Sequence, residues 1–94
     1  MLHIVKHSPF ISPSLSQCLS RLAERDGVLL IGDGAYALQQ LDSVLAALGA
    51  ENKLYVLRED AKARGIKISH NDVHELDYPG FVQLTVEYPK SLSW

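Results

Sequence analysis

Cysteine, tryptophan and phenylalanine are scarce in this 94-residue chain, with one, one and two copies respectively. A lone thiol, Cys18, can neither close an internal disulfide nor build a multi-thiolate zinc site, so both classes are excluded. Long apolar runs are also missing. The longest aliphatic run, Val28-Leu29-Leu30-Ile31, falls far short of the roughly 20 apolar residues that a membrane span requires. Met1 to Lys6 has no basic stretch followed by a long apolar segment, so no signal peptide is expected and the chain is expected in the cytoplasm. Nor is there an excess of cations: nine Lys and Arg stand against eleven Asp and Glu, for a formal charge of −2. The cations are scattered from Lys6 to Lys90, which leaves no basic stripe to neutralise phosphates, so direct nucleic-acid binding is not expected.

Repeats, low-complexity tracts and linkers are absent too, so residues 1–94 read as a single domain. A domain near this size buries only about 60 to 65% of its unfolded surface and gains from association.

What the chain does contain is alternation. Leu2 to Lys6 is β-branched and short, and His7-Ser8-Pro9 breaks it. Ser12-Pro13 reads as an N-cap with proline at the first helical position, opening a helix whose apolar stripe is Leu15, Cys18, Leu19, Leu22 and Ala23 and which ends at Asp26-Gly27. Val28 to Ile31 lacks polar alternation, as a strand covered on both faces should. Gly32-Asp33-Gly34 forms a tight turn, and Ala35 to Leu48 reads as one helix with Leu38, Leu41, Leu45 and Leu48 on its stripe and Gly49 at its end. Lys53 to Leu57 is a further strand, and Asp60 to Arg64 a short helix stopped by Gly65. Ile66-Lys67-Ile68 fits a short strand or edge, and Val73 to Leu76 another strand.

The last segment supports two readings. Val82, Leu84, Val86 and Tyr88 alternate with polar residues as in a half-buried strand, while Asp77 as N-cap, Pro79 in the first turn and Phe81, Leu84, Thr85 and Tyr88 fit a helix. The sum is α/β: a small open parallel sheet of about four strands with helices on both faces.

Chemistry-bearing residues are few. Gly32-Asp33-Gly34 lies where open α/β folds bind anions, yet it lacks the third glycine of a dinucleotide fingerprint and the Gly-Lys-Ser/Thr of a P-loop, and Asp33 would repel phosphate. It reads as a structural turn whose acidic residue faces a partner. His3 with His7, and His70 with His74, are each four apart, but not in helices, so they read as exposed or hydrogen-bonded histidines rather than metal ligands. Ser12, Ser14, Ser16 and Ser20 lie in no Gly-x-Ser-x-Gly elbow and read as capping and surface residues. Cys18 has intrinsic nucleophilic power, but its place on the apolar stripe favours a buried, inert thiol. Trp94 is costly to leave in water and should dock on its own domain or a neighbouring subunit.

Several segments together resemble one family, TusB/DsrH: Leu2 to Phe10, Leu29 to Ala37, Leu54 to Asp60 with Ala63-Arg64-Gly65, and Asp77 to Trp94. The resemblance spans essentially the whole chain. It implies a DsrE-like α/β subunit with flavodoxin-like layering, and it resolves residues 81–88 as a helix. It also implies TusC-like and TusD-like partners in a heterohexamer. That assembly would pass persulfide sulfur through a TusE-like protein toward 2-thiolation of the tRNA wobble uridine. In the family the transferring cysteine belongs to the TusD-like subunit. The comparable region here, Arg58-Glu59-Asp60, has no thiol, so the chain is expected to be non-catalytic, with no cofactor and no metal. Asp33, Tyr36 and Trp94 are the candidate partner-facing residues. Two alternatives remain: a DsrH-like subunit of a DsrEFH sulfur-oxidation complex with Cys18 as auxiliary persulfide carrier, and a stand-alone interaction or ligand-binding module.

Overall fold

The computed structural model describes residues 1–40, 43–68 and 72–94. Along them run β1 (Leu2–Val5), α1 (Ser14–Leu19), β2 (Gly27–Leu30), a 3-10 helix (Gly32–Gln39), α2 (Ser43–Ala50), β3 (Leu54–Leu57), α3 (Arg58–Ala63), β4 (His74–Leu76), α4 (Tyr78–Glu87) and β5 (Ser91–Ser93). The strands form one parallel sheet in the order β4-β3-β2-β1-β5. Three crossovers step the chain one way across the sheet, and the last returns it to the far side of β1. Right-handed crossovers of opposite direction put their helices on opposite faces. The packing agrees. Val5, Val28, Leu30, Leu54 and Val56 meet Leu15, Cys18, Leu38, Leu45 and Ala61 from the first helices on one face. Leu2, Ile4 and Leu29 meet Leu84 of α4 on the other.

The α/β reading holds, with five strands among the described residues rather than about four. The added strand, Ser91-Leu92-Ser93, is exposed and gives no apolar signal in sequence; its ladder to β1 makes it a strand, flanked by Leu2 N–H to the Lys90 carbonyl and Trp94 N–H to the Ile4 carbonyl, each 2.8 Å. Residues 81–88 belong to a helix as far as Glu87. Asp77 caps it by accepting the Gly80 N–H at 2.8 Å, with Pro79 in the first turn.

Three expectations need correction. Helix α1 stops at Leu19 instead of running through Ala23. Ser16 of α1 and the cap residue Ser20 donate their hydroxyls to backbone carbonyls, those of Pro13 and Gln17, and the Asp26 carboxylate takes the Ala23 N–H at 3.1 Å, which draws the chain out of the helix. The single helix expected from Ala35 to Leu48 is two elements, because the segment after β2 winds as a 3-10 helix that ends at Gln39, the next residue, Gln40, having a non-helical backbone (φ −145°, ψ 81°). Eight residues is a long run for that tighter winding. Ile66-Lys67-Ile68 forms no strand, since the Ile66 N–H is committed to the Ala61 carbonyl at 2.9 Å.

The helix stops are explained by backbone geometry. Gly65, at φ +67°, ends α3 in a Schellman turn as expected. The corresponding residue after α2 is Asn52, at φ 60°, with the Lys53 N–H on the Leu48 carbonyl. Gly49 is instead inside α2, where an added Cβ would lie 3.0 Å from Asp72 Cβ. Leu41, expected on the α2 stripe, and Ser69, His70 and Asn71, expected in a loop, lie outside the described residues.

Candidate functional site

Two polar clusters stand out. The first lies at the carboxyl edge of the sheet, where β2 and β3 give way to helices. Gly32 takes φ +51°, which glycine adopts without strain, and an added Cβ on Gly34 would sit 2.2 Å from the Val5 carbonyl oxygen. The loop therefore closes directly on β1. Asp60 of α3 secures it by accepting the Gly32 N–H at 2.7 Å. Arg64 adds a brace: its Nε donates to Asp33 Oδ1 at 2.8 Å and its Nη1 to the Asp60 carbonyl at 3.1 Å. The hydrogen bond to Asp33 raises the already high Arg64 pKa. Asp33 keeps about half its side-chain surface in solvent, at 53%, and Tyr36 is half-buried against the core.

This arrangement answers the anion question. The Gly32 amide that a phosphate would need is already bonded to a carboxylate, and Asp33 adds negative charge beside it, so Gly32-Asp33-Gly34 is a structural element, the first turn of the 3-10 helix, with an exposed acidic tip. Nearby, Glu59 turns Oε2 into the protein with no hydrogen-bond partner among the described residues. No three His, Cys, Asp or Glu side chains among the described residues converge to hold a metal.

The second cluster is buried and joins distant parts of the chain. His3, 3% exposed, places Nε2 2.8 Å from Asp26 Oδ2. Asp26 also accepts the Ala23 N–H at 3.1 Å and pairs with the Met1 ammonium at 3.1 Å. Trp94 Nε1 donates to His3 Nδ1 at 3.0 Å, and the Arg21 guanidinium lies 5.8 Å from the Trp94 ring centre. Burial alone would raise the Asp26 pKa, but the hydrogen bonds from His3 and Ala23 and the pairing with Met1 outweigh it and hold the carboxyl at about 2. In the sequence Asp26 reads as a helix terminator, and this network goes unmarked. The available signal was a histidine inside an apolar strand with an aspartate directly before its parallel neighbour, since the register aligns Leu2 with Gly27.

Cys18 packs under this network on the inner side of α1. It is fully buried, and burial, then the Asp26 charge, pushes its thiol up to about 11. Both nitrogens of the nearby imidazole are engaged, Nε2 with Asp26 and Nδ1 with Trp94, so neither is available to take a proton from the thiol. Trp94 docks on its own domain, as one of its two expected fates. His7 is exposed, apart from the buried His3, and His74 stacks near Tyr55 at 5.5 Å. Among the described residues no helix is long and apolar enough to cross a membrane.

Known proteins share this architecture and sequence. The ychN protein of E. coli superposes with a TM-score of 0.76 over 99% of this chain and 97% of its own, at 19% identity. Protein Tm0979 from Thermotoga maritima does so at 0.65 over 96% and 97%, at 23% identity. At such identities the likeness concerns the fold. Sequence similarity is closer: protein TusB of Pectobacterium parmentieri is 42% identical and protein TusB of Escherichia coli K12 is 39% identical, each over the full length of both chains. A family model described as DsrH like protein matches residues 7–91. With similarity over its whole length and a fold to match, the chain belongs to the DsrH/TusB family.

Proposed function

We propose that this chain is a non-catalytic subunit of a cytoplasmic TusBCD-like sulfur relay, working with TusC-like and TusD-like partners in a heterohexamer. The relay hands persulfide sulfur to a TusE-like protein for 2-thiolation of the tRNA wobble uridine. The observation that carries the non-catalytic role is the state of Cys18. The chain's one thiol is sealed in the core and, with its pKa raised to about 11, is neutral across the physiological range. A sulfur carrier needs an accessible thiolate. Full-length similarity to two TusB proteins supports the tRNA branch over the sulfur-oxidation branch.

Two surface features support an assembled state. The carboxyl edge offers Asp33 and Tyr36 on a braced loop. Tyr78, Val82 and Val86, four residues apart on α4, are 56%, 62% and 72% exposed, an apolar stripe of the kind that marks contact with another protein. In this reading Trp94 serves assembly by fixing β5, while Asp33 and Tyr36 meet the partner. Co-expression and pull-down from cells, read by mass spectrometry, tests the proposal. Recovery with two further α/β subunits is expected, and recovery as a lone monomer would reject it.

A further inference from the structure

Strand β5 is one of the two edge strands of the sheet. All three of its residues are exposed and it pairs on one side only, with β1. Its main side-chain anchor is Trp94, through the 3.0 Å hydrogen bond to His3. The direction of that bond fixes the state of the ring. An indole N–H can only donate, so His3 Nδ1 carries no proton, and Nε2 bears the proton that it donates to Asp26. A second proton on the imidazole can go only to Nδ1, the atom on which the indole sits.

We propose that the His3–Trp94 hydrogen bond is a proton-sensitive latch on the C-terminal strand: protonation of His3 at Nδ1 sets two donors face to face, expels the indole and frees residues 91–94 from β1. The balance is simple: one proton is taken from solvent, the indole N–H turns to water, and no covalent bond changes. The release bares the outer backbone edge of β1, a ready template for pairing with another strand.

The charged groups around the ring set the direction. Asp26, from the approach to β2, remains a carboxylate well below neutral pH and favours a charged imidazole. The Met1 ammonium, on the same carboxylate, opposes it by repulsion. From α1, Cys18 stays a neutral thiol, and just beyond it the Arg21 guanidinium lies over the Trp94 ring, holding the indole but repelling an imidazolium. Because only the released form leaves Nδ1 open, acid favours release, and the latched-to-released ratio falls by up to about tenfold per pH unit.

Trp94 is the chain's one tryptophan, so its emission reports the latch directly. On acidifying the purified full chain from about pH 7.5 to 5, the range in which imidazoles commonly take up a proton, emission should shift to the red while far-ultraviolet circular dichroism holds. His3→Asn, whose side-chain oxygen accepts a hydrogen bond without titrating, should abolish the shift. Constant emission until the dichroism itself is lost, or an undiminished shift in His3→Asn, would overturn the latch. Should that variant not fold, nuclear magnetic resonance of the unaltered chain decides: the His3 ring and the Trp94 indole N–H should titrate with one midpoint, and an indole resonance that stays fixed while His3 titrates would refute it.

Discussion

Around His3, both ring nitrogens and both Asp26 oxygens are engaged, and the His3 and Asp26 side chains are almost wholly out of solvent; at the carboxyl edge, Asp33, Asp60 and Arg64 hold one another with distances just as short, but half of Asp33 faces water. Equal geometry has unequal consequences. Buried, a carboxylate with several donors stabilises the fold, and losing it strands those donors; exposed, an ion pair contributes little to stability and is free to meet a partner. The buried cluster holds the sheet together and the carboxyl-edge cluster shapes a surface.

Substitutions can break this comparison in order of expected effect. The largest is Gly34→Ala, since the new methyl group would meet the Val5 backbone at 2.2 Å, with a cost of about 3 kcal/mol or more in denaturant unfolding. Shape, more than charge, holds the carboxyl-edge loop. Asp26→Ala should follow at about 3 kcal/mol, because it leaves His3 Nε2–H and the Ala23 N–H without their acceptor. The pH dependence is an independent check on the same residue. The Asp26 pKa falls from 3.8 to about 2 on folding. Its contribution of about 2 kcal/mol is thus present above the upper value and lost as the pH falls through the lower one.

Cys18→Ala should cost about 1 to 2 kcal/mol by opening a small void. The raised thiol predicts the opposite limb. With a pKa of about 11 in the fold against 9.0 as the ordinary value, stability is complete below the lower figure and declines as the pH rises through the higher. Calorimetry of the native chain and Cys18→Ala reads the difference. The smallest stability effect should come from Asp33→Ala, within about 0.5 kcal/mol, yet the same change should weaken capture of the partner subunits about fivefold, near 1 kcal/mol. Equal losses of stability from Asp33→Ala and Asp26→Ala would erase the distinction between the clusters.

Much of the architecture was legible because it rests on local chemistry. Val28 to Leu30 carried the unbroken apolar run of a doubly covered strand, Gly65 marked a positive φ, and Asp77-Tyr78-Pro79 spelled a helix start. What could not be read depends on residues far apart in sequence. Asp26 shortens α1 by reaching Ala23, but it is placed by Met1 and His3 across a strand pair. Strand β5 exists because β1 has a free edge, a fact that Ser91-Leu92-Ser93 does not contain. The burial of Cys18 was readable from its apolar spacing, and the exposure of Asp33 from the two glycines that flank it. The partner of Asp33, Arg64, lies 31 residues on and had no local signal.

In the proposed role, sulfur passes through the assembly without residing on this chain. Loading the assembled complex with radiolabelled sulfur through a cysteine desulfurase, then separating the subunits without reductant, tests it most directly. Label is expected on a partner subunit and none on this chain. Label on this chain that disappears in Cys18→Ser would contradict it.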